Sequence, residues 1–248
     1  MSTAIEIHPD GAALAEAAAR HFIRCASEAI AARGAFHVAL SGGSTPKPMF
    51  EKLGGPLRGE LDWSHVHLWW GDERCVPPDH VESNFRMVRE TLLGAIALPD
   101  AQVHRIRGEA PDRLAEAARL ADELSHRLPV EGGVPVFDLM LQGMGGDGHT
   151  ASLFPTTGKA LVRDRFAVHV IPPAYVKPQV ERISVTAPVI EAAREVHALL
   201  AGAEKAEMLE KVMHGPLELD VRPMGILRQA RGQVRWLLDQ AVAAKLPR

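Results

Sequence analysis

The sequence predicts an α/β fold in which a mostly parallel sheet has helices on both faces, a Rossmann-like layering. Short apolar runs of strand length alternate with segments of helical periodicity along the chain. Several of these runs are almost unbroken in apolar character, which is typical of parallel strands buried on both faces. With 248 residues and no low-complexity tract, repeat or linker, the chain is expected to form a single domain over residues 1–248.

The amino-terminal half alternates strands and helices. A strand at 4–7 precedes an Ala-rich helix that Asp10 can cap and that ends at Gly34. The next strand, 36–40, leads into a loop whose Pro46 suits the start of a helix at 47–53. Further strands are predicted at 66–70 and 136–141, and further helices at 83–93 and 111–128.

The carboxyl-terminal half continues the pattern. Pro172, Pro173 and Pro178 mark an irregular connection between two of its strands. Strands are predicted at 166–171, 182–186, 195–200 and 234–238, and helices at 188–194, 206–213 and 239–246.

Composition excludes several functional classes. A formal net charge of -3 and a pI near 6.5 give no signature of nucleic-acid or acidic-membrane binding. No apolar run could cross a bilayer, and the first ten residues do not resemble a signal peptide. With only two cysteines, Cys25 and Cys75, a reduced cytoplasm is the expected compartment. Separately, a monomer is the favoured oligomeric state.

The loop after the second strand has the features of an anion site. It runs Ser41-Gly42-Gly43-Ser44-Thr45-Pro46 between a strand and a helix. Backbone N–H groups, hydroxyls and the helix dipole there would favour a phosphate. The alternative is a plain βα turn.

Charged residues follow two other strands. Asp72 and Arg74, in the loop predicted at 71–78, are two residues apart and would point the same way in extended backbone. Lys205 lies at a strand-to-helix junction, where a cation opposes the helix dipole and so hints at an anionic ligand. A solvated turn and a solvent-facing lysine are the respective alternatives.

The loop at 143–149 contains the groups best suited to proton transfer. It holds four glycines together with Asp147 and His149, the only one of 12 histidines in a glycine-rich turn at a buried strand end. Histidine can accept a proton from water and return it to a leaving oxygen near neutral pH. Together with the anion site, this pattern indicates a hydrolase or isomerase of a phosphorylated small molecule.

Metal and dinucleotide sites fit less well. Asp147 and His149 supply only two metal ligands, and neither CxxC nor HExxH occurs. The segment 143–148 satisfies GxGxxG after a strand, but Pro155 cuts short the helix that a dinucleotide fold requires. Neither a metal nor a cofactor is therefore predicted.

Five segments resemble the glucosamine-6-phosphate isomerase/6-phosphogluconolactonase family, and in particular its lactonases. They are LSGGSTP at 40–46, GDERCVPPDHVESNFRM at 71–87, GMGGDGHTASLFP at 143–155, RISVTAPVI at 182–190 and GAEKAEML at 202–209. The resemblance implies a fold similar to glucosamine-6-phosphate deaminase and ribose-5-phosphate isomerase. It also implies hydrolysis of 6-phospho-D-glucono-1,5-lactone, in the oxidative pentose phosphate pathway, without metal or cofactor.

The resemblance also implies roles for individual residues. His149 would be the general base, with Asp147 orienting it or contacting the sugar. Arg74 would bind the ligand or stabilise the oxyanion. The substrate-binding set would be Gly42, Gly43, Ser44, Thr45, Asp72, Arg182 and Lys205.

Two alternatives remain at this point. A deaminase-like sugar-phosphate isomerase would resemble DGHIAFNEP, with a glutamate before the proline, whereas this chain has Phe154. An apolar side chain cannot transfer the proton that ring opening needs, so the substitution favours the lactonase. A non-catalytic sugar-phosphate sensor would need a DNA-reading module, which no segment supplies.

Overall fold

The computed structural model describes residues 2–247, and its central feature is a parallel sheet. Seven strands form this sheet in the order β1-β12-β11-β8-β2-β3-β5, and each neighbouring pair is parallel. The strands are β1 Thr3–His8, β2 Phe36–Leu40, β3 Val66–Trp70, β4 Asp72–Arg74, β5 Val103–His104, β6 Val130–Glu131, β7 Val134–Pro135, β8 Leu139–Gln142, β9 Ala167–Val170, β10 Arg182–Val185, β11 Glu195–Leu200 and β12 Gln233–Asp239.

Helices cover the sheet. Every residue of β8 and β11 is buried, so both faces of the sheet are covered there. The helices are α1 Gly11–Arg33, α2 Lys47–Gly54, α3 Asn84–Thr91, α4 Arg113–Arg127, α5 Ala187–Ala192 and α6 Ala206–His214. The prediction of an α/β fold with a mostly parallel sheet is confirmed.

Local sequence explains where the longest helix begins and ends. The Asp10 carboxylate accepts hydrogen bonds from the backbone N–H groups of Ala12 and Ala13 at 2.9 and 2.8 Å. Gly34, with φ of 79°, ends the helix in the left-handed conformation. Both signals were identified in the sequence.

A second sheet corrects the prediction for residues 71–78. Asp72–Arg74 is not loop but the strand β4, which pairs antiparallel with β10, and β10 pairs antiparallel with β9. Three charged residues give no apolar run, so this strand depends on its partner β10 instead of on local sequence. The pairing sets Arg74 opposite Arg182 and Asp72 opposite Ser184.

Other differences are confined to short elements. The strand predicted at 136–141 begins only at Leu139, and the helix predicted at 239–246 is a 3₁₀ turn at Val242–Lys245. The β6–β7 hairpin and the two-residue strand β5 were not predicted, because each is too short to show a periodic pattern. Within residues 2–247, no helix combines the length and apolar character needed to span a lipid bilayer.

Candidate active site

Four segments that each follow a strand meet at one edge of the sheet. The segments that follow β2, β3, β8 and β11 surround a cleft of about 250 Å³ at the carboxyl ends of these strands. Every predicted site residue except Asp147 lines it: Gly42, Gly43, Ser44, Thr45, Asp72, Arg74, His149, Arg182 and Lys205. A cleft of this kind suits a small molecule.

A histidine–carboxylate pair lies at one wall of the cleft. Asp147 contacts His149 from outside the lining, with its Oδ1 at 2.6 Å from Nδ1 of the imidazole and 3.1 Å from the backbone nitrogen of His149. The Phe154 ring packs on the imidazole, with a centroid distance of 4.7 Å. Because Nδ1 is engaged by Asp147, Nε2 is the ring nitrogen available to a ligand.

The Asp147 carboxylate is held in its ionised form. Partial burial raises its pKa, but the hydrogen bonds and charge of His149, with a hydrogen bond from Tyr175, lower the pKa below its usual value overall. Asp147 can therefore orient the imidazole and stabilise it when it is protonated.

The loop after β2 has the backbone of an anion site. Gly43 has φ of 96°, a region that favours glycine. Gly42 packs so closely on Asn84 that a Cβ there would lie 1.9 Å from the Asn84 Oδ1 atom. Pro46, the cap residue of α2, has no side-chain acceptor, and no side chain within residues 2–247 caps the backbone N–H groups of Lys47 and Met49 in the first turn.

Two guanidinium groups enter the cleft from opposite positions on β4 and β10. Arg74 donates to the Glu82 carbonyl at 2.6 Å, and Arg182 is only 4% exposed. Burial, together with the charge of Arg74, lowers the pKa of Arg182 despite the opposing effect of Asp72. Like charges opposite each other in a sheet are unfavourable, and an anion bound between them would relieve the repulsion.

Lys205 adds a third positive charge. Lys205 lies immediately before α6, and its side chain is 20% exposed. Its Nζ atom is 4.0 Å from the nearer carboxylate oxygen of Glu204. At that distance the ion pair is weak, which leaves the ammonium group able to bind a ligand anion.

Asp72 is fixed by residues that sequence reasoning did not single out. Ser152 donates to its Oδ2 atom at 2.5 Å, and the Asn84 side-chain amide donates to its backbone carbonyl at 2.9 Å. Asn84 also lines the cleft. Both residues lie inside the motifs at 71–87 and 143–155, but nothing in their local pattern distinguishes them from ordinary loop residues.

Glu73 organises the start of α3 from the other side of β4. It is 2% exposed, and its carboxylate accepts hydrogen bonds from the Ser83 hydroxyl and the backbone N–H groups of Asn84 and Phe85. Burial raises its pKa, although these hydrogen bonds oppose the shift. Successive side chains of a strand point to opposite faces, so Asp72 and Arg74 face the cleft and Glu73 lies on the opposite face of β4.

One trio of the described residues has its donor atoms close enough together to hold a metal ion. Cys25, Glu195 and His197 are buried at the amino end of β11, at the opposite end of the strand from the cleft. Burial raises the pKa of the Cys25 thiol, and both Arg24 and Arg235 donate to the Glu195 carboxylate. Two cationic side chains already bound to the only carboxylate of the trio do not suit a metal ion.

Comparison with known proteins identifies the family. Residues 9–236 match the family model described as Glucosamine-6-phosphate isomerases/6-phosphogluconolactonase. The 6-phosphogluconolactonase of Synechocystis sp. is 40% identical over 221 residues, which cover 89% of this chain and 88% of that relative.

Solved structures give the same result. The structure of 6-phosphogluconolactonase from Trypanosoma brucei is 30% identical, covers 99% of each chain and has a TM-score of 0.87. A monomeric glucosamine-6-phosphate deaminase, 18% identical with a TM-score of 0.82 and coverage of 98% and 99%, confirms the expected similarity in fold alone. The chain belongs to the glucosamine-6-phosphate isomerase/6-phosphogluconolactonase family.

Proposed function

We propose that this protein hydrolyses 6-phospho-D-glucono-1,5-lactone to 6-phospho-D-gluconate in the oxidative pentose phosphate pathway. The observation that carries the proposal is the convergence of the Asp147–His149 pair with three cationic side chains, Arg74, Arg182 and Lys205, at one cleft. Relatives that the chain matches over most of its length bear the name 6-phosphogluconolactonase.

The substrate phosphate is assigned to the loop after β2. Gly42, Gly43, Ser44 and Thr45 offer backbone N–H groups and hydroxyls at the start of α2, and Lys205 supplies a charge on the same cleft. Arg74 and Arg182 would bind anionic oxygens of the substrate. Asp72, fixed by Ser152 and Asn84, would accept hydrogen bonds from sugar hydroxyls.

The proposed reaction is general-base hydrolysis. Nε2 of His149 removes a proton from water, and the water oxygen attacks the lactone carbonyl carbon. The resulting oxyanion is stabilised by the cationic groups of the cleft. When the intermediate collapses, the bond to the ring oxygen breaks, and the imidazolium returns its proton to that oxygen. The products are a sugar hydroxyl and a carboxylic acid, which ionises at neutral pH.

The environment of His149 favours hydrolysis over aldose–ketose isomerisation. The side chain packed on its ring is Phe154, which is 1% exposed and has no group that can transfer a proton. Water activation needs one base, which His149 supplies, whereas ring opening of an amino sugar needs a second proton-transfer partner. The isomerase is therefore the less favoured alternative.

Three further proposals concern the class of ligand, the cellular location and the oligomeric state of the protein. The mildly acidic pI favours a small anionic substrate, held by local positive charge, over nucleic acid. A cytoplasmic location follows from the proposed substrate, a phosphorylated intermediate of central metabolism. A monomer is proposed because side chains of one chain suffice to line the cleft.

The test compares two substrates. Purified protein is given freshly made 6-phosphogluconolactone, with 6-phosphogluconate formation followed by a coupled dehydrogenase, and in parallel glucosamine 6-phosphate, with ammonia release measured. We expect lactone hydrolysis well above the spontaneous rate and no ammonia. Ammonia release without accelerated lactone hydrolysis would support the isomerase instead.

A further inference from the structure

Tyr175 makes a contact that the proposed reaction does not use. It is the only tyrosine in the chain and lies in the loop between β9 and β10. Its hydroxyl donates to Asp147 Oδ2 at 3.0 Å, although 59% of the residue is exposed. An exposed side chain thus reaches the carboxylate that orients the proposed base.

The Asp147 carboxylate is divided between two partners. Its Oδ1 atom accepts from the ring and backbone nitrogens of His149, and its Oδ2 atom accepts from Tyr175. A carboxylate that is hydrogen-bonded through both oxygens cannot rotate freely about the Cβ–Cγ bond of the aspartate. The hydroxyl of Tyr175 therefore restricts the plane in which the imidazole is held.

The loop that carries Tyr175 is itself ordered by hydrogen bonds. The Gln179 side chain donates to the carbonyls of Pro173 and Val176, at 2.6 and 3.0 Å. Arg182 donates from the cleft side to the carbonyls of Pro178 and Val180, at 3.3 and 3.1 Å. The phenol is thus attached to a braced segment, which limits the entropy lost in keeping its contact with Asp147.

The phenol also stays in its donor form. Burial of the hydroxyl, and the hydrogen bond and charge of Asp147, raise the pKa of Tyr175 to about 12. At neutral pH it therefore carries the proton that it shares with Asp147.

We propose that Tyr175 is a positioning residue, whose hydroxyl fixes the Asp147 carboxylate and thereby the orientation of the His149 imidazole. This inference rests on the proposed function. The hydroxyl of Tyr175 contacts Asp147, so the proposed role is exerted through that carboxylate.

The first test is Tyr175→Phe, which removes one hydroxyl and keeps the ring. Loss of one hydrogen bond to a charged group predicts a fall in kcat of roughly 5- to 20-fold, with KM within about twofold of wild type. The matched control is Lys177→Gln, at an exposed side chain of the same loop, which should retain wild-type kcat. Unchanged kcat in Tyr175→Phe, or a raised KM with normal kcat, would overturn the inference.

A double-mutant cycle with Asp147→Asn separates positioning from a general structural effect. If Tyr175 acts through Asp147, adding Tyr175→Phe to Asp147→Asn should change kcat by less than about twofold. The same fold loss in both backgrounds would contradict this. A wild-type protein with no lactonase activity would overturn the proposed function and this inference together, whereas an active wild type matched by Tyr175→Phe overturns the inference alone.

Discussion

The backbone of Gly145 lies against the imidazole of His149. A Cβ at Gly145 would be 2.2 Å from both Nδ1 and Cε1 of that ring, and 2.6 Å from Asp147 Oδ1. Neither side chain could keep its position, since both belong to one hydrogen-bonded pair. The adjacent Gly146 has open space at the same point. Only one of these two glycines is therefore required by the geometry of the pair.

We predict that Gly145→Ala lowers kcat at least tenfold, because the imidazole must move away from Asp147. The midpoint of thermal unfolding should change little, since the clash can be relieved by a side chain that is 30% exposed. Gly146→Ala is the matched control and should keep kcat within about twofold of wild type. Equal turnover in both variants would mean that the Asp147–His149 contact does not set the rate.

The residues of the site differ in how far they could be predicted from sequence. His149 and Asp147 stand out because a glycine-rich turn after a buried strand is an unusual place for both. Tyr175 does not stand out, because its contact is with Asp147 in another loop of the chain. Asn84 does not stand out, because its contact with Asp72 lies within one motif whose local pattern is that of an ordinary loop. The geometry also settles which neighbour the His149 ring contacts, which the sequence leaves open.

Among the elements, the amino end of β11 is tied to its neighbours by buried charge. Glu195 accepts from Arg24 of α1 at 2.7 Å and from Arg235 of β12 at 3.4 Å. Burial would raise the pKa of Glu195, but the hydrogen bond and charge of His197 and the charge of Arg24 lower it to about 2. The ionised carboxylate thus links one helix and two strands.

This network predicts acid sensitivity. The folded pKa of Glu195 lies below its ordinary value of 4.5, so its contribution is complete above pH 4.5 and is lost as the pH falls towards 2. Glu195→Gln should lower the free energy of unfolding at pH 7 by about 2 to 3 kcal/mol and reduce the further loss between pH 5 and 3.

Urea unfolding at several pH values measures this effect. The matched control is Glu28→Gln, since Glu28 is an exposed partner of the same Arg24 and should contribute less than about 1 kcal/mol. If Glu195→Gln and wild type lose stability in parallel between pH 5 and 3, Glu195 does not have the assigned effect.

The bounds of strands buried on both faces can be predicted from sequence, whereas a strand that depends on a distant partner cannot. β2, β3 and β11 have the predicted bounds, because strands buried on both faces appear as short apolar runs. β4 was missed because its partner β10 is more than a hundred residues away. The predicted direction of Asp72 and Arg74 nevertheless agrees with the structure, since both line the cleft.

For the whole molecule, one domain over residues 1–248 remains a prediction. β4 follows β3 of the first sheet after the single residue Gly71, and the backbone N–H of Val185 in β10 donates to the Gly71 carbonyl at 2.9 Å. These connections join the second sheet to the first and favour a single cooperative unit. We expect one two-state urea transition with the same midpoint by far-UV circular dichroism and by the fluorescence of Trp63, Trp69, Trp70 and Trp236, all buried. Separate transitions would indicate independently folding parts.

The central claim is that one cleft combines a single catalytic base with a separate site for the substrate anion. The most direct test measures kcat and KM for the lactone, after subtraction of spontaneous hydrolysis, in His149→Ala and Lys205→Ala. His149→Ala should lose about 100- to 10,000-fold in kcat yet bind 6-phosphogluconate normally, whereas Lys205→Ala should raise KM about tenfold or more with kcat largely retained. Normal turnover in His149→Ala, or an unaltered KM in Lys205→Ala, would contradict it.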